Sequence, residues 1–263
     1  MSDDPGPLLR NHAKEKLARG GTVYSMTVRL VRTIDIASIA HTAGFDSVYI
    51  DLEHSSFPLE AAGQICMACN ALGVTPLVRV PGPDPAFIAR VMDAGAMGII
   101  VPGVQSAQEA RAAVSAVKHV PQGERSLAGA APQLNYRTFP ADQVIEALDS
   151  TSMVVPMIET QAGLDAVDEI AAVDGVDMLL VGANDLSVAL GVAGQMDSPK
   201  VHEAYLRVIE ACQANGKTAG IGGMGGWPDL VRRYMDLGAR YVSTGNDISF
   251  LSAAAAQKRG QYA

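Results

Sequence analysis

A joint between a helix and a buried strand, repeated four times, is the feature that most limits how this chain folds. HTAGFDSVYI, MDAGAMGIIV, VDGVDMLLV and MDLGARYVST each place a glycine between the end of a helical segment and a nearly continuous apolar run. Glycine adopts the left-handed conformation that ends many helices, and such apolar runs are typical of parallel strands covered on both faces. The joint therefore predicts repeated helix–strand units around a parallel sheet.

Eight apolar segments alternate with segments of helical periodicity along the 263 residues. We expect strands at 22–28, 47–52, 75–80, 97–102, 153–158, 177–182, 218–222 and 240–244. Eight such units in a chain of this length predict an α/β fold, a (β/α)₈ TIM barrel, which typically has about 250 residues. We expect one domain over residues 1–263. An open doubly wound sheet is the alternative, because the same alternation produces it.

Composition and charge exclude several classes of function. The formal net charge is −8 and Lys and Arg do not cluster, which argues against nucleic-acid binding. No apolar stretch approaches the roughly 18 residues of a membrane span, and the polar N-terminal segment lacks a signal-peptide core. Three cysteines are too few for a disulfide framework. We expect a cytoplasmic protein without nucleic-acid or membrane partners.

Charged side chains follow four of the predicted strands, at the point where each strand ends. They are Asp51, Glu53 and His54 after the second strand, Arg79 in the third, Glu159 after the fifth and Asp185 after the sixth. In a barrel the carboxyl ends of all strands meet at one face, where the active sites of this fold lie. The pattern predicts an active site there.

The residue types indicate the chemistry. Glu159 and Asp185 offer hard oxygen ligands with no His or Cys beside them, which suits Mg²⁺ or Mn²⁺. Arg79 offers a planar fork of donors for a carboxylate or a developing oxyanion. His54 is the natural proton acceptor near neutral pH, and Asp51 is placed to orient its imidazole. Together they predict proton chemistry on a metal-bound keto acid.

Each of these residues also has a purely structural interpretation. Arg79 and Glu159 could form a buried ion pair without a catalytic role. Asp185 could cap the helix that follows it, and a histidine at a strand end is often only a satisfied polar residue.

Two loops carry further predictions. Residues 120–140 form a long connection that contains several polar and basic side chains, and the sequence leaves open whether it covers part of the site. These side chains are Arg125, Asn135, Tyr136 and Arg137. GIGGMG, at 220–225, matches a dinucleotide signature only formally, because no acidic residue ends the next strand. We expect its backbone to approach a ligand or a neighbouring subunit.

Five blocks of the sequence resemble, in order, those of a known enzyme family. They are AGFDSVYIDLEH, LVRVPGPDP, GIIVPGVQSAQEAR, MIET and GVDMLLVGANDLSVALG. From about residue 14 to residue 255 the chain resembles the class II pyruvate-dependent aldolases of hydroxy-keto acids. The resemblance implies a barrel that exchanges its last helix between subunits and assembles as a homohexamer. It also implies a divalent metal (Mg²⁺, Mn²⁺ or Co²⁺) and no organic cofactor.

The resemblance implies a role for each matching residue. His54 falls on the catalytic base and Asp51 on its partner. Arg79 falls on the residue that binds pyruvate and stabilises the transition state. Asp93 falls on the acid that increases the basicity of the histidine, in some members from a neighbouring subunit. The metal ligands are Glu159 and Asp185, and the substrate-binding residues are Arg79, Ala183, Asn184 and Asp185.

The implied reaction is cleavage or formation of a 4-hydroxy-2-keto acid, giving pyruvate and an aldehyde through a metal-stabilised pyruvate enolate. Met157 stands where the best-known members carry a glutamine, and the first strand lacks their tryptophan. The aldehyde is therefore not assigned from the sequence. Oxaloacetate decarboxylation, cleavage of a CoA thioester, and a catalytically silent keto-acid-binding protein are the alternatives.

Overall fold

The eight predicted strands all form, each within two residues of its expected bounds. In a computed structural model that describes residues 7–262, they are parallel and close into a barrel in sequence order. The strands are β1 (Val23–Val28), β2 (Ser47–Asp51), β3 (Thr75–Arg79), β4 (Gly98–Val101), β5 (Met153–Ile158), β6 (Met178–Gly182), β7 (Thr218–Gly222) and β8 (Tyr241–Asn246). Because β8 pairs with β1, the (β/α)₈ barrel is confirmed and the open sheet is wrong.

Helices connect the strands and cover the outside of the barrel. They are α1 (His12–Ala18), α2 (Asp35–Thr42), α3 (Leu59–Leu72), α4 (Pro85–Asp93), α5 (Ala107–Val117), α6 (Ala141–Thr151), α7 (Gln161–Asp165), α8 (Val167–Ala171), α9 (Ala183–Ala189), α10 (Pro199–Ala214), α11 (Pro228–Asp236) and α12 (Asp247–Gly260). Side chains before five of them accept backbone N–H groups of the first turn, which is the usual way a helix start is satisfied. Asp84 accepts from Ala86 and Ser106 from Glu109.

The barrel interior is filled at its amino-terminal end and open at the other. Val23, Tyr49, Leu77 and Tyr241 point inward and are buried together with Ala13 of α1. The Ala13 N–H donates to the Thr75 hydroxyl at 3.0 Å, so α1 lies across the bottom of the barrel. Only the carboxyl ends of the strands are left to form a cavity.

The long connection 120–140 lies at the amino-terminal end of the barrel. Gln133 Nε2 donates to the Met92 and Ala96 carbonyls, at 2.7 and 3.1 Å, where α4 ends and β4 begins. A short 3₁₀ helix, Pro132–Leu134, is buried there. The loop therefore does not cover the site of its own chain, because this connection from α5 to α6 packs where α4 ends and β4 begins, at the face opposite the active site.

The last helix, α12, is exposed along almost its whole length. Asp247 is its one buried side chain, whereas Ile248, Phe250 and Leu251 are exposed apolar residues. Exchange of this helix between subunits stays a prediction, as does the single domain over residues 1–263. Residues 1–6, at the start of the polar N-terminal segment, and residue 263 lie outside the described range. Within that range no helix is long and apolar enough to cross a bilayer.

Gly98 lies beside Met153 where β4 pairs with β5, and we expect its replacement by alanine to destabilise the barrel. A Cβ at Gly98 would lie 2.5 Å from the Met153 carbonyl oxygen and 2.9 Å from Leu77 Cδ2. Overpacking of this kind costs about 1–3 kcal/mol, which lowers the melting temperature of a protein this size by roughly 2–12 °C. Thermal denaturation followed by circular dichroism measures the change.

Gly129→Ala is the matched control, because a Cβ there meets no atom within 4 Å. It should leave the melting temperature within about 1 °C of the parent. Equal melting temperatures for the two variants would contradict the close packing of β4 against β5.

Candidate active site

A cavity of about 660 Å³ opens at the carboxyl ends of the strands. It is lined by most of the predicted site residues, which are His54, Arg79, Glu159, Ala183, Asn184 and Asp185. Gly222, Gly223 and Gly225 of the glycine-rich segment also line it, as expected for a backbone that approaches a ligand. Six of the predicted residues therefore meet at one cavity, as expected for residues at the carboxyl ends of barrel strands. Asp51 is buried behind this cavity, and Asp93 does not line it.

Asp51 is the centre of a buried ionic network. Its side chain is fully buried, and it lies in register with Arg79 on the next strand. Arg79 donates to it through Nε at 2.9 Å and Nη2 at 2.6 Å. Arg29, which follows β1, donates through Nε at 2.6 Å. Burial alone would raise the pKa of the Asp51 carboxyl, but the hydrogen bond and charge of Arg79 outweigh it and lower that pKa.

The sequence places Asp51 behind the imidazole of His54, and the structure differs. Asp51 Oδ1 accepts the backbone N–H groups of Glu53 and His54, at 3.1 and 3.2 Å, so it shapes the turn and leaves the ring free. The carboxylate nearest the ring is Glu53, whose Oε2 lies 3.6 Å from His54 Nε2. Glu53 Oε2 also lies 2.7 Å from Arg79 Nη1. The imidazole is half exposed and faces the cavity.

Glu159 is held rigidly in an environment that disfavours its negative charge. It is 8% exposed, and its Oε1 accepts the Gly103 N–H at 2.7 Å. Burial, followed by the charges of Glu53 and Asp185, raises the pKa of Glu159 to about 7. A Cβ at Gly182 would lie 2.5 Å from Glu159 Oε2, so a side chain at that position of β6 would displace the Glu159 carboxylate. Arg79 pairs with Asp51 and Glu53, and the alternative of a simple Arg79–Glu159 ion pair is wrong.

Asp185 is exposed to the cavity from the first turn of α9. The residue that caps this helix is Gly182, and no side chain forms a cap hydrogen bond. The alternative in which Asp185 serves as a helix cap is therefore wrong.

The two carboxylates fit a divalent cation by their chemistry. A cation beside Glu159 would offset the repulsion and burial that raise its pKa. Among residues 7–262, no group of three or more His, Cys, Asp and Glu side chains is arranged to hold a metal. The protein would thus supply two oxygen ligands, and water and substrate oxygens would complete the shell, as Mg²⁺ sites commonly require.

Asp93 does not join the other predicted residues. It ends α4 at the opposite face of the barrel, where Arg125 Nη2 donates to its carboxylate at 2.7 Å. Asp93 therefore has no contact with the cavity of its own chain.

Sequence reasoning gave no role to three residues that shape the site. Arg29 binds Asp51 and lines the cavity, and Glu53 bridges Arg79 and His54. Asp247 accepts the backbone N–H groups that follow β1. Arg29 stands directly after the first predicted strand. It could have been found by looking for a charged residue at the end of that strand, as was done for the other strands. Asp247 gives no such signal, because its partners lie more than 200 residues away in the chain.

The fold and the cavity first define a class. A closed parallel barrel with a histidine, a buried arginine and two carboxylates suited to a cation at its catalytic face is equipped to stabilise an enolate of a keto acid. Enzymes that make or break carbon–carbon bonds beside a carbonyl group need such a site.

Comparison with known proteins then identifies the family. The model of the HpcH/HpaI aldolase/citrate lyase family matches residues 30–254. The chain is 42% identical over 216 residues to 4-hydroxy-4-methyl-2-oxoglutarate aldolase tasA of Hapsidospora irregularis, covering 81% of this chain and 80% of the relative. It is 34% identical over 216 residues to the hydroxypyruvate/pyruvate aldolase of Roseovarius nubinhibens, covering 82% and 83%. The chain belongs to the HpcH/HpaI aldolase/citrate lyase family.

A solved structure agrees. The crystal structure of an HpcH/HpaI aldolase from Desulfitobacterium hafniense DCB-2 matches with a TM-score of 0.87 at 30% identity, covering 95% of each chain. The resemblance to hydroxy-keto acid aldolases is confirmed, and the chain is a carbon–carbon lyase of the aldolase type.

Asp51→Asn should destabilise the protein strongly, because it removes the negative charge that two arginines share. Breaking a buried ion pair by neutralising one partner costs about 3–5 kcal/mol. Urea denaturation followed by circular dichroism measures the free energy of unfolding. Asp229→Asn is the control, since Asp229 pairs with Arg232 at an exposed position; it should change that free energy by less than about 0.5 kcal/mol. A loss below about 1 kcal/mol in Asp51→Asn would contradict the central role of this carboxylate.

Proposed function

We propose that the protein cleaves 4-hydroxy-2-keto acids to pyruvate and a second carbonyl compound, and catalyses the reverse addition, through a pyruvate enolate. The convergence of Glu159, Asp185, Arg79 and His54 on one cavity supports this proposal. The four residues come from four different strand ends, and the chemistry requires them together.

Glu159 and Asp185 are the proposed ligands of a divalent cation, Mg²⁺, Mn²⁺ or Co²⁺, and no organic cofactor is needed. When bound, the cation supplies Lewis acidity towards the carboxylate and keto oxygens of the substrate. The backbone from Ala183 to Asp185 borders the same part of the cavity, and we propose that it contacts the keto acid. Asn184 and Ala183 are thus proposed substrate-binding residues.

Arg79 is the proposed oxyanion-stabilising residue. Its side chain is 6% exposed and is held by Asp51 and Glu53, and its guanidinium carbon lies 5.6 Å from the centre of the Tyr49 ring. A guanidinium fixed in this way needs no reorganisation as charge develops on the keto oxygen. Because Asp51 and Glu53 neutralise much of its charge, Arg79 contributes to the reaction mainly through the fixed position of its donors.

His54 is the proposed proton-transfer residue. In the cleavage direction its imidazole takes the proton of the C4 hydroxyl, the bond between C3 and C4 breaks, and its electron pair forms the enolate of pyruvate. The C4 oxygen becomes a carbonyl, and protonation of the enolate at C3 then gives pyruvate. Glu53 Oε2 lies 3.6 Å from the imidazole, and Asp51 supports the base only by accepting the backbone N–H groups of the turn that carries it. We propose that Asp93 assists His54 from a neighbouring copy, in a homohexamer. This assembly, the exchanged last helix and the cytoplasmic location stay predictions.

Mn²⁺ should bind about tenfold more weakly near pH 6 than near pH 8, because the pKa of Glu159 is raised to about 7. Below that pKa the proton competes with the cation for the carboxylate, so affinity falls as the pH falls. Titration of free Mn²⁺ by electron paramagnetic resonance measures the dissociation constant. His54→Ala should keep this pH dependence and Glu159→Gln should weaken binding at both pH values. Equal affinity at the two pH values would contradict the proposed role of Glu159.

Exchange of the pyruvate methyl protons in D₂O tests the enolate step directly. We expect NMR to show exchange with Mg²⁺ or Mn²⁺ and none with EDTA. Glu159→Ala and His54→Ala should each slow exchange by at least about 100-fold, the lower range for loss of a general base. His41→Ala is the control, since His41 is exposed on α2 and does not line the cavity.

No exchange by the folded protein with any of these cations would overturn the proposed function. It would favour a CoA-thioester lyase or a catalytically silent keto-acid-binding protein. Exchange that survives in Glu159→Ala would contradict the cation site while keeping enolate chemistry.

A further inference from the structure

Arg29 uses only the Nε donor of its guanidinium within the described residues. It follows β1, lines the cavity and is about one-third exposed, at 32% of its side chain. Its Nε donates to Asp51, whereas its two terminal nitrogens donate to no residue between 7 and 262. An arginine that is anchored through Nε keeps a planar pair of donors that matches a carboxylate.

The backbone that carries Arg29 is fixed by a buried carboxylate. Asp247, which is 5% exposed, accepts the N–H of Arg29 at 3.0 Å and those of Leu30 and Val31 at 2.9 and 2.8 Å. With Asp51 holding Nε and Asp247 holding the main chain, Arg29 is anchored at both ends. Such preorganisation is typical of a residue that binds a ligand with defined geometry.

The position of Arg29 in the barrel is opposite the proposed cation site. In a closed barrel of eight strands in sequence order, β1 faces β5, and Glu159 follows β5. Arg79, on β3, lies between them. If pyruvate is held at the β5–β6 side, its reaction partner would therefore lie on the side of β1 and β8. That wall is polar, with the Thr27 and Ser243 hydroxyls 3.0 Å apart.

We infer that Arg29 binds a carboxylate on the second carbonyl compound, so that the substrates are 4-hydroxy-2-keto acids with a second carboxylate and the acceptor is an oxo acid. This inference rests on the proposed aldolase function. Arg29 shares Asp51 with Arg79, and Glu53 supplies a second carboxylate. The positive charges of the two guanidinium groups are therefore already cancelled by the negative charges of the two carboxylates. Arg29 nevertheless lines the cavity, and its terminal nitrogens make no hydrogen bond within residues 7–262. An oxo acid would satisfy these donors, whereas an uncharged aldehyde would leave them without a charged partner.

A purely structural role for Arg29 predicts a different result. If Arg29 served only to balance the charge of Asp51, its loss would slow the reaction with all acceptors alike. The ratio of kcat/KM for an acid to that for its uncharged ester separates the two roles, because any effect on Arg79 or on the enolate step cancels within one variant.

The experiment measures aldol addition of pyruvate to two pairs of acceptors, glyoxylate and its methyl ester, and succinic semialdehyde and its methyl ester. In the parent protein we expect kcat/KM to favour the acid in at least one pair. Arg29→Met should lower that ratio by at least about 30-fold, the lower range for losing one partner of a close charge pair. Arg29→Lys, which keeps the charge and loses the fork, should give an intermediate ratio.

Arg32→Met is the matched control on the same loop. Arg32 is exposed, donates to the Ser56 hydroxyl at 2.5 Å and lies over the Phe57 ring, and it does not line the cavity. It should leave the ratio unchanged within about twofold. If Arg29→Met is unfolded, Arg29→Lys carries the test alone.

Three results would overturn the inference. A parent protein that treats acid and ester alike would exclude an anion site for the acceptor, and a ratio unchanged in both Arg29 variants would assign the preference to another residue. In both cases pyruvate exchange and ester addition would still proceed, so the proposed function would stand. Absence of exchange and of any addition product would overturn the proposed function together with this inference.

Discussion

The carboxylate of Asp51 is the interaction on which the catalytic face depends. A fully buried charge is tolerated only when it is paired and hydrogen-bonded, and Asp51 meets this condition with Arg79, Arg29 and the turn after β2. The same contacts join β1, β2 and β3 at their carboxyl ends. Asp51 therefore acts on the chemistry indirectly, because it fixes the arginine and the main chain that carries the histidine.

The cavity is electrostatically divided. On the side of β1–β3, arginines and carboxylates compensate one another within the protein. On the side of β5 and β6, no basic side chain within residues 7–262 forms an ion pair with Glu159 or Asp185, and burial together with the charges of Glu53 and Asp185 raises the pKa of Glu159. A divalent cation is the natural complement of the second side. In the proposed reaction, such a division would orient a keto acid with its oxygens towards β5 and its remaining carbon chain towards β1.

This division also explains how one scaffold serves different substrates. The relatives include aldolases named for 4-hydroxy-4-methyl-2-oxoglutarate and for hydroxypyruvate and pyruvate, so their names differ in the substrate. In a barrel the strands hold the chemistry, whereas the loops after them vary. The segment after β1, anchored here by Asp247, is placed to make such a difference.

The order of strands, the catalytic face and six of the residues that line the cavity could be predicted from the sequence. Apolar runs and helix-ending glycines are local signals in the sequence. A charged residue at the end of a buried strand is costly unless it has a partner or a function, so Arg79 and Glu159 could be identified from the sequence alone. The sequence could not show which carboxylate pairs with which basic side chain. Asp51 was assigned to His54 because they are three residues apart, yet its side chain meets Arg79, 28 residues away.

What the sequence by itself determined is the set of elements and the chemistry available at their ends, because both follow from local propensity and from the cost of burying charge. The tertiary structure alone decided the partners. Closing the barrel places Asp247 under the backbone after β1, turns Arg29 into the cavity, and sends Asp93 and the long loop to the opposite face. These outcomes depend on strand register and chain direction through the whole barrel, and no short stretch of sequence contains that information.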